Sequence, residues 1–277
     1  RSDGNYGVSP ITVSDFKFIT EGKSNYGKII YATTSDSSGI KTTKWLAGAK
    51  TVNDFASAGN TLNSSFEVTS NGTYTIYTED KAGNKAIKQV VINDIDTSYP
   101  TVSFGTNGNA TYATTRSTKV TVSDNVGINT NGLKYVWTTS TTAPSPSAFT
   151  VTFTSGATIS TPPGLTGGYY LWISAQDTAG NTTITRSNVF NLDNTSPTVT
   201  AKGSSYTITE GASNVISSTY FNITANGLAP ITSTTCINTS SGNAVVTNTS
   251  TLAAGSHVIR CTVTKQNGLS SNAQTTI

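Results

Sequence analysis

Short apolar–polar alternations run the length of the chain. Lys119-Val-Thr-Val-Ser123, Ala148-Phe-Thr-Val-Thr-Phe153 and Val258-Ile-Arg-Cys-Thr-Val-Thr264 repeat with period two and end near Gly, Asn, Asp or Pro. Period two sends successive side chains to opposite faces of a strand, and turn residues close each run. These segments therefore read as half-buried antiparallel strands. Lys28–Ala32, Ile40–Trp45, Ser65–Val68, Tyr74–Tyr77 and Ala86–Ile92 read the same way. No long stretch combines Ala, Leu, Glu and Lys content with the 3.6-residue period of a helix.

The punctuation between these runs repeats. Gly72-Thr-Tyr-Thr-Ile-Tyr-Thr-Glu-Asp80-Lys-Ala-Gly83-Asn84 returns as Gly168-Tyr-Tyr-Leu-Trp-Ile-Ser-Ala-Gln-Asp177-Thr-Ala-Gly180-Asn181, with Asp80 to Asp177 and Asn84 to Asn181 both 97 positions apart. Ser35-Asp36-Ser-Ser-Gly39-Ile40 is answered by Ser123-Asp124-Asn-Val-Gly127-Ile128. Pro10, Pro100 and Pro197 each open a similar run. A repeat of this length is a whole domain, not a solenoid unit.

The pattern predicts an all-β chain of three tandem immunoglobulin-like sandwiches in an extended array. A connector spans 1–9, and the domains span 10–96, 97–194 and 195–277. Trp45 and Trp137 sit at corresponding places, where a bulky ring packs across two sheets. Asp96 and Asp193 each stand four residues before a proline in short junctions. Proline fixes φ and restricts its predecessor, so these connectors read as stiff. Three such sandwiches in line would make a rod of about 100 Å.

Composition fits β domains. Of 277 residues, 35% are hydrophobic and 11% charged, with a net charge of +3. Scattered lysines and arginines give no basic stripe, which argues against a nucleic-acid partner. No apolar run reaches the roughly 18 residues of a membrane span, so membrane insertion within this segment is not expected. The chain opens at Arg1 and contains no Met, which reads as a piece of a longer protein.

At the quoted motifs the chain resembles known families. The first domain, with Gly39-Ile-Lys-Thr-Thr-Lys-Trp45 and Asn71–Asn84, looks like the bacterial immunoglobulin-like domains repeated in large surface proteins of Firmicutes. The second, with Lys134-Tyr-Val-Trp137 and Leu171–Asn181, resembles a sister type. The third, with Gly255-Ser-His-Val-Ile-Arg-Cys261-Thr-Val, is similar to hyalin-repeat modules. The resemblance implies a spacer in a longer extracellular, cell-surface or cell-wall chain. Its partners would be the neighbouring domains of that chain.

Candidate chemistry is sparse. Catalysis needs a base, and His257 is the only histidine. It precedes Cys261 by four residues, but no orienting group follows from the sequence nearby. Two cysteines and one histidine fall short of a zinc set. Cys236 and Cys261 read as a disulfide, which persists outside the reducing cytosol. Asp124 and Asp177 lie in loops expected at the pole where the first junction delivers Asp96. Three carboxylates there suit calcium, and turn capping by the same side chains is the other reading. The second junction brings Asp193 towards Asn226 and Lys265, a setting that disfavours a metal cation. No other cofactor is required.

Three lesser features complete the reading. Lys17, between Phe16 and Phe18, is the lysine considered for an internal isopeptide. Asn71, Asn109, Asn181 and Asn222 open Asn-x-Thr triplets, which chance explains in so Asn- and Thr-rich a chain. Tyr169, Tyr170 and Trp172 form the best aromatic set for a ligand face, with two of them expected to point inward. The expected function is a non-enzymatic stalk of a bacterial surface protein. The alternatives are an adhesin module that binds a host protein or glycan, and a virion decoration or filament subunit.

Overall fold

The computed structural model describes residues 17–24 and 27–277, the side chains of 17–24 and of Thr33 excepted. The expected connector over 1–9 and the domain start at Pro10 lie outside the described residues. Lys17 is described by its backbone alone, so the isopeptide reading also lies outside them. Two compact units emerge. One comprises the residues up to Tyr99 with Thr178–Asn181, the other Pro100–Asp177 with Thr182–Ile277.

Among the described residues, the first unit contains seven strands: β1 (Lys17–Ser24), β2 (Gly27–Thr33), β3 (Ile40–Ala47), β4 (Asn60–Thr61), β5 (Ser65–Val68), β6 (Gly72–Asp80) and β7 (Lys85–Ile92). They form two antiparallel sheets, ordered β1-β2-β5 and β4-β3-β6-β7. Ile30, Phe66 and Val68 from one sheet meet Tyr74, Ile76 and Ile92 from the other in a single core. Trp45 of β3 stacks on Phe66 of the opposite sheet, with ring centroids 4.3 Å apart. The inward residues of β6 are Tyr74 and Ile76. Its other face is covered too, because Phe55 stacks on Tyr77 at 4.9 Å. Phe55 ends a short 3-10 turn, Val52–Phe55, whose first turn is capped by Asp54 on Thr51.

The second unit holds two cores. The first belongs to β8 (Thr101–Phe104), β9 (Asn109–Ala113), β10 (Ser117–Ser123), β11 (Lys134–Thr138), β12 (Val151–Thr152), β13 (Thr158–Ser160), β14 (Gly167–Gln176), β15 (Thr182–Arg186) and β16 (Phe190–Leu192). One sheet runs β13-β10-β8. The other runs β12-β11-β14-β16-β9, with β15 also paired to β14. Alternation is clean on β10, where Thr118, Val120 and Val122 are buried between exposed neighbours. Val120, Val122 and Ile159 face Leu171, Ile173 and Ala175 across the sandwich. The β9–β16 pairing is parallel, the other ladders antiparallel.

The second core belongs to β17 (Thr198–Ala201), α1 (Ile216–Tyr220), β18 (Phe221–Thr224), β19 (Ile231–Asn238), β20 (Ala244–Val245), β21 (Val258–Lys265) and β22 (Ser270–Thr276). The sheets run β17-β18 and β20-β19-β21-β22. Val199 and Phe221 meet Cys236, Ile259, Cys261 and Val263 between them. Each fully buried aliphatic side chain contributes about 1.5–3 kcal/mol. The short helix α1 departs from the all-strand expectation. It buries Ile216 and Tyr220 in the same core, so tertiary packing holds one turn that β-branched and hydroxyl residues would not sustain alone.

Candidate functional site

The most developed polar site lies between the two cores of the second unit. The connector Asp193-Asn-Thr-Ser-Pro197 is only a few residues long, so the turns that flank it close in. Asp193 follows β16, Asn226 and Gly227 lie between β18 and β19, and Lys265 ends β21. The Lys265 ammonium donates to Asp193 Oδ2 at 2.7 Å, to the Thr195 carbonyl at 2.8 Å and to the Asn226 carbonyl at 2.5 Å. Both charged side chains are 0% exposed. The carboxylate also accepts backbone N–H bonds from Thr195, Leu228 and Ala229, at 2.9, 3.0 and 2.7 Å. Asn267 donates its side-chain amide to the Asp193 carbonyl, and Tyr112 donates its N–H to the Gln266 side chain.

This geometry leaves Asp193 without an unpaired oxygen and Lys265 without an unused proton. Burial works to raise the Asp193 carboxyl. The bonds from Lys265 and the backbone N–H groups of Ala229, Thr195 and Leu228 outweigh it and hold the acid well below the usual carboxylate range. Gly227 is required by close approach. Its φ is +60°, and a Cβ there would sit 2.5 Å from Asp193 Oδ1. The sequence points to Asp193, Asn226 and Lys265 at this junction only as a setting that disfavours calcium. The ammonium is itself the cation of the site.

The acidic turns differ from this pair. Asp80 is buried, and Asn84 binds it with both its backbone N–H, 2.8 Å, and its side chain, 2.7 Å. Burial works to raise the Asp80 carboxyl, and the bonds from Asn84 and from the N–H groups of Ala82 and Gly83 bring it below its ordinary value. Asp36 Oδ1 accepts from the Ser38 N–H and hydroxyl. Asp124 Oδ1 caps its own turn through the N–H groups of Val126 and Gly127, at 2.9 and 3.1 Å, while its Oδ2 is buried with no hydrogen-bond partner. Asp177, 1% exposed, bridges to Ile128, and one of its carboxylate oxygens lies within 4.8 Å of one from Asp124. In the first unit, Asp96 Oδ1 accepts from the Ser98 N–H and its Oδ2 is buried without a partner. Asn71 pins the same connector by bonding both the N–H and the carbonyl of Ile95, at 2.9 Å each.

Cys236 and Cys261 face each other on neighbouring strands β19 and β21, with Cα atoms 4.0 Å apart, and are joined as a disulfide. Cys261 therefore offers no thiolate. His257 bonds Asn238 through Nδ1 at 2.9 Å and the Ala253 carbonyl through Nε2 at 2.8 Å, so both ring nitrogens are engaged. The aromatic expectation needs correction. On β14 the core takes Leu171, Ile173 and Ala175, and alternation sends Tyr170 and Trp172 to the opposite face. Trp172 is nonetheless buried there, donating to the Ser140 carbonyl, while Arg186 lies 4.4 Å above the Tyr170 ring.

No family model matches the chain, and no curated protein matches it. Among solved structures it is similar to fibronectin(III)-like modules of Clostridium thermocellum CbhA, at 12% identity and a TM-score of 0.34, over 64% of this chain and 93% of that one. It is similar to dimeric latent PorU from Porphyromonas gingivalis, at 11% identity and a TM-score of 0.27, over 92% of this chain. The match spans only 32% of the PorU chain. A third likeness is to protocadherin gammaB7 EC3-6, at 12% identity and a TM-score of 0.30, over 90% of this chain and 68% of that one. The sandwich assignment rests on the strand ladders and the paired-sheet cores of the chain itself.

Proposed function

We propose that the chain is a non-enzymatic structural segment of a larger extracellular protein, a series of immunoglobulin-like sandwiches over 10–96, 97–194 and 195–277 that acts as a semi-rigid spacer on a bacterial surface. The observation that carries this reading is the buried Asp193–Lys265 pair. A spacer must resist bending where one sandwich hands over to the next. A buried ion pair in which both carboxylate oxygens and all three ammonium protons are engaged fixes one geometry, because any shift leaves a charge unpaired in a dry site. The disulfide supports a compartment outside the reducing cytosol. Limited proteolysis tests the reading. The Asp193–Pro197 connector should survive native digestion that nicks exposed loops, and rapid cleavage there would show a flexible link.

A second reading is the calcium expected from the sequence, proposed here at Asp124 and Asp177 of the second unit. It is favoured by the buried, partnerless Oδ2 of Asp124 beside the Asp177 carboxylate, since hard oxygen donors of this kind suit that ion. Calcium should then raise the melting temperature of the intact chain and EDTA lower it, and Asp124→Asn should remove the response. A melt indifferent to both leaves the carboxylates as turn caps.

A further inference from the structure

Beyond the spacer reading, one cavity of about 330 Å³ is lined by Thr106, Asn109, Thr115, Arg116, Ser117, Ser160 and Phe190. We propose that it is a binding site for an acidic sugar, with the Arg116 guanidinium taking the carboxylate of a hexuronate and the surrounding hydroxyls taking the ring.

Arg116 is fixed in place before any ligand arrives. Its N–H donates to Thr161 Oγ1 at 3.0 Å and its carbonyl accepts from the Thr161 N–H at 2.8 Å. Its Nη2 donates to the Thr111 carbonyl and, at 2.8 Å, to Thr111 Oγ1. No other group among the described residues bonds the guanidinium. Nε is buried without a partner, and no carboxylate forms an ion pair with Arg116 among the described residues. Partial burial lowers its pKa, with no neighbouring carboxylate to offset that effect. With Nη2 held by Thr111 and Nε buried, Nη1 is the nitrogen left to meet a ligand, and a carboxylate oxygen gives it a charge-assisted acceptor.

The lining decides the ligand class. Thr106, Thr115, Ser117 and Ser160 are exposed residues that border the cavity, and their hydroxyls make no hydrogen bond among the described residues. Ser117 and Ser160 are cross-strand neighbours on β10 and β13, so a rigid ladder holds their spacing. Phe190 is 0% exposed and presents no apolar face. A wall of free hydroxyls around one unpaired cation favours a polyhydroxylated anion over an apolar acid. The volume falls at the lower end of the range for small-ligand sites.

Calorimetric titration of the intact chain with D-glucuronate, D-glucose and acetate tests the assignment. Glucuronate should bind with a dissociation constant of about 1 mM, and glucose and acetate at least about tenfold more weakly. Arg116→Gln should weaken glucuronate binding at least about tenfold with the melting temperature little changed. Thr115→Trp, an exposed loop substitution that fills the mouth, should do the same without touching the charge. The proposal is overturned if glucuronate gives no saturable heat, if acetate or glucose binds equally well, or if both variants bind like the parent.

Discussion

Lys265 has three ammonium protons, and the joint supplies three acceptors for them. Removing the lysine would leave the Asp193 carboxylate buried with backbone donors alone. Lys265→Met should therefore destabilise the second unit by about 3–5 kcal/mol, read by urea denaturation. The double variant Lys265→Met with Asp193→Leu should recover much of that loss, because no lone charge then stays buried. Recovery of nothing would mean that the pair's other bonds dominate. Gly227→Ala should cost more than about 1 kcal/mol, since φ is positive and the new Cβ meets Asp193 Oδ1. Acid should act through the same residue. The Asp193 pKa is lowered on folding, so its contribution is complete above the unfolded value of about 3.9 and fades as pH falls towards the folded one. The parent chain should thus lose stability below about pH 4 more steeply than the double variant. Tyr77 works at the other end of the scale. Burial first, then its bond to Glu79, pushes its phenol up to about 12, so its stabilisation holds below about pH 10 and fades above it.

At the scale of elements, β19 and β21 carry the disulfide as directly opposed residues of one sheet. Closing a loop of 25 positions contributes roughly 3 kcal/mol in the chain-entropy model. The chain unfolded without reductant should take up no alkylating reagent, and labelling of two thiols would contradict the bond. Period-two patterning made most strands legible. Ser65–Val68 matches its run residue for residue, and Val258–Lys265 extends its run by one. Ala148–Phe153 shows where pattern fails. Pro146 opens a 3-10 turn over Pro146–Ala148, leaving only Val151–Thr152 to pair with β11. The turn residues were equally readable, because Gly39, Gly83 and Gly180 hold positive φ that side chains resist. The faces of β14 were not. Tyr, Trp, Leu and Ile all alternate in a run buried on both sides, so period two gives no sign of which set faces the core.

At the scale of the whole molecule, the buried pair joins residues far apart in the chain. The departure of Lys265-Gln-Asn-Gly268 from the repeated Asp-x-Ala-Gly-Asn turn marked Lys265, but its partners come from residues about 40 and 70 positions away, which local pattern cannot pair. Arg116 carried no sequence signal at all, because an arginine among threonines and serines becomes notable only once its missing counter-charge is seen. The central claim is that the buried pair makes the two sandwiches of the second unit one rigid body. Residual dipolar couplings of the intact chain test it most directly. Amides of β8–β16 and of β17–β22 should fit a single alignment tensor, and Lys265→Met should split them into two. Two tensors of different magnitude in the parent chain would contradict the account.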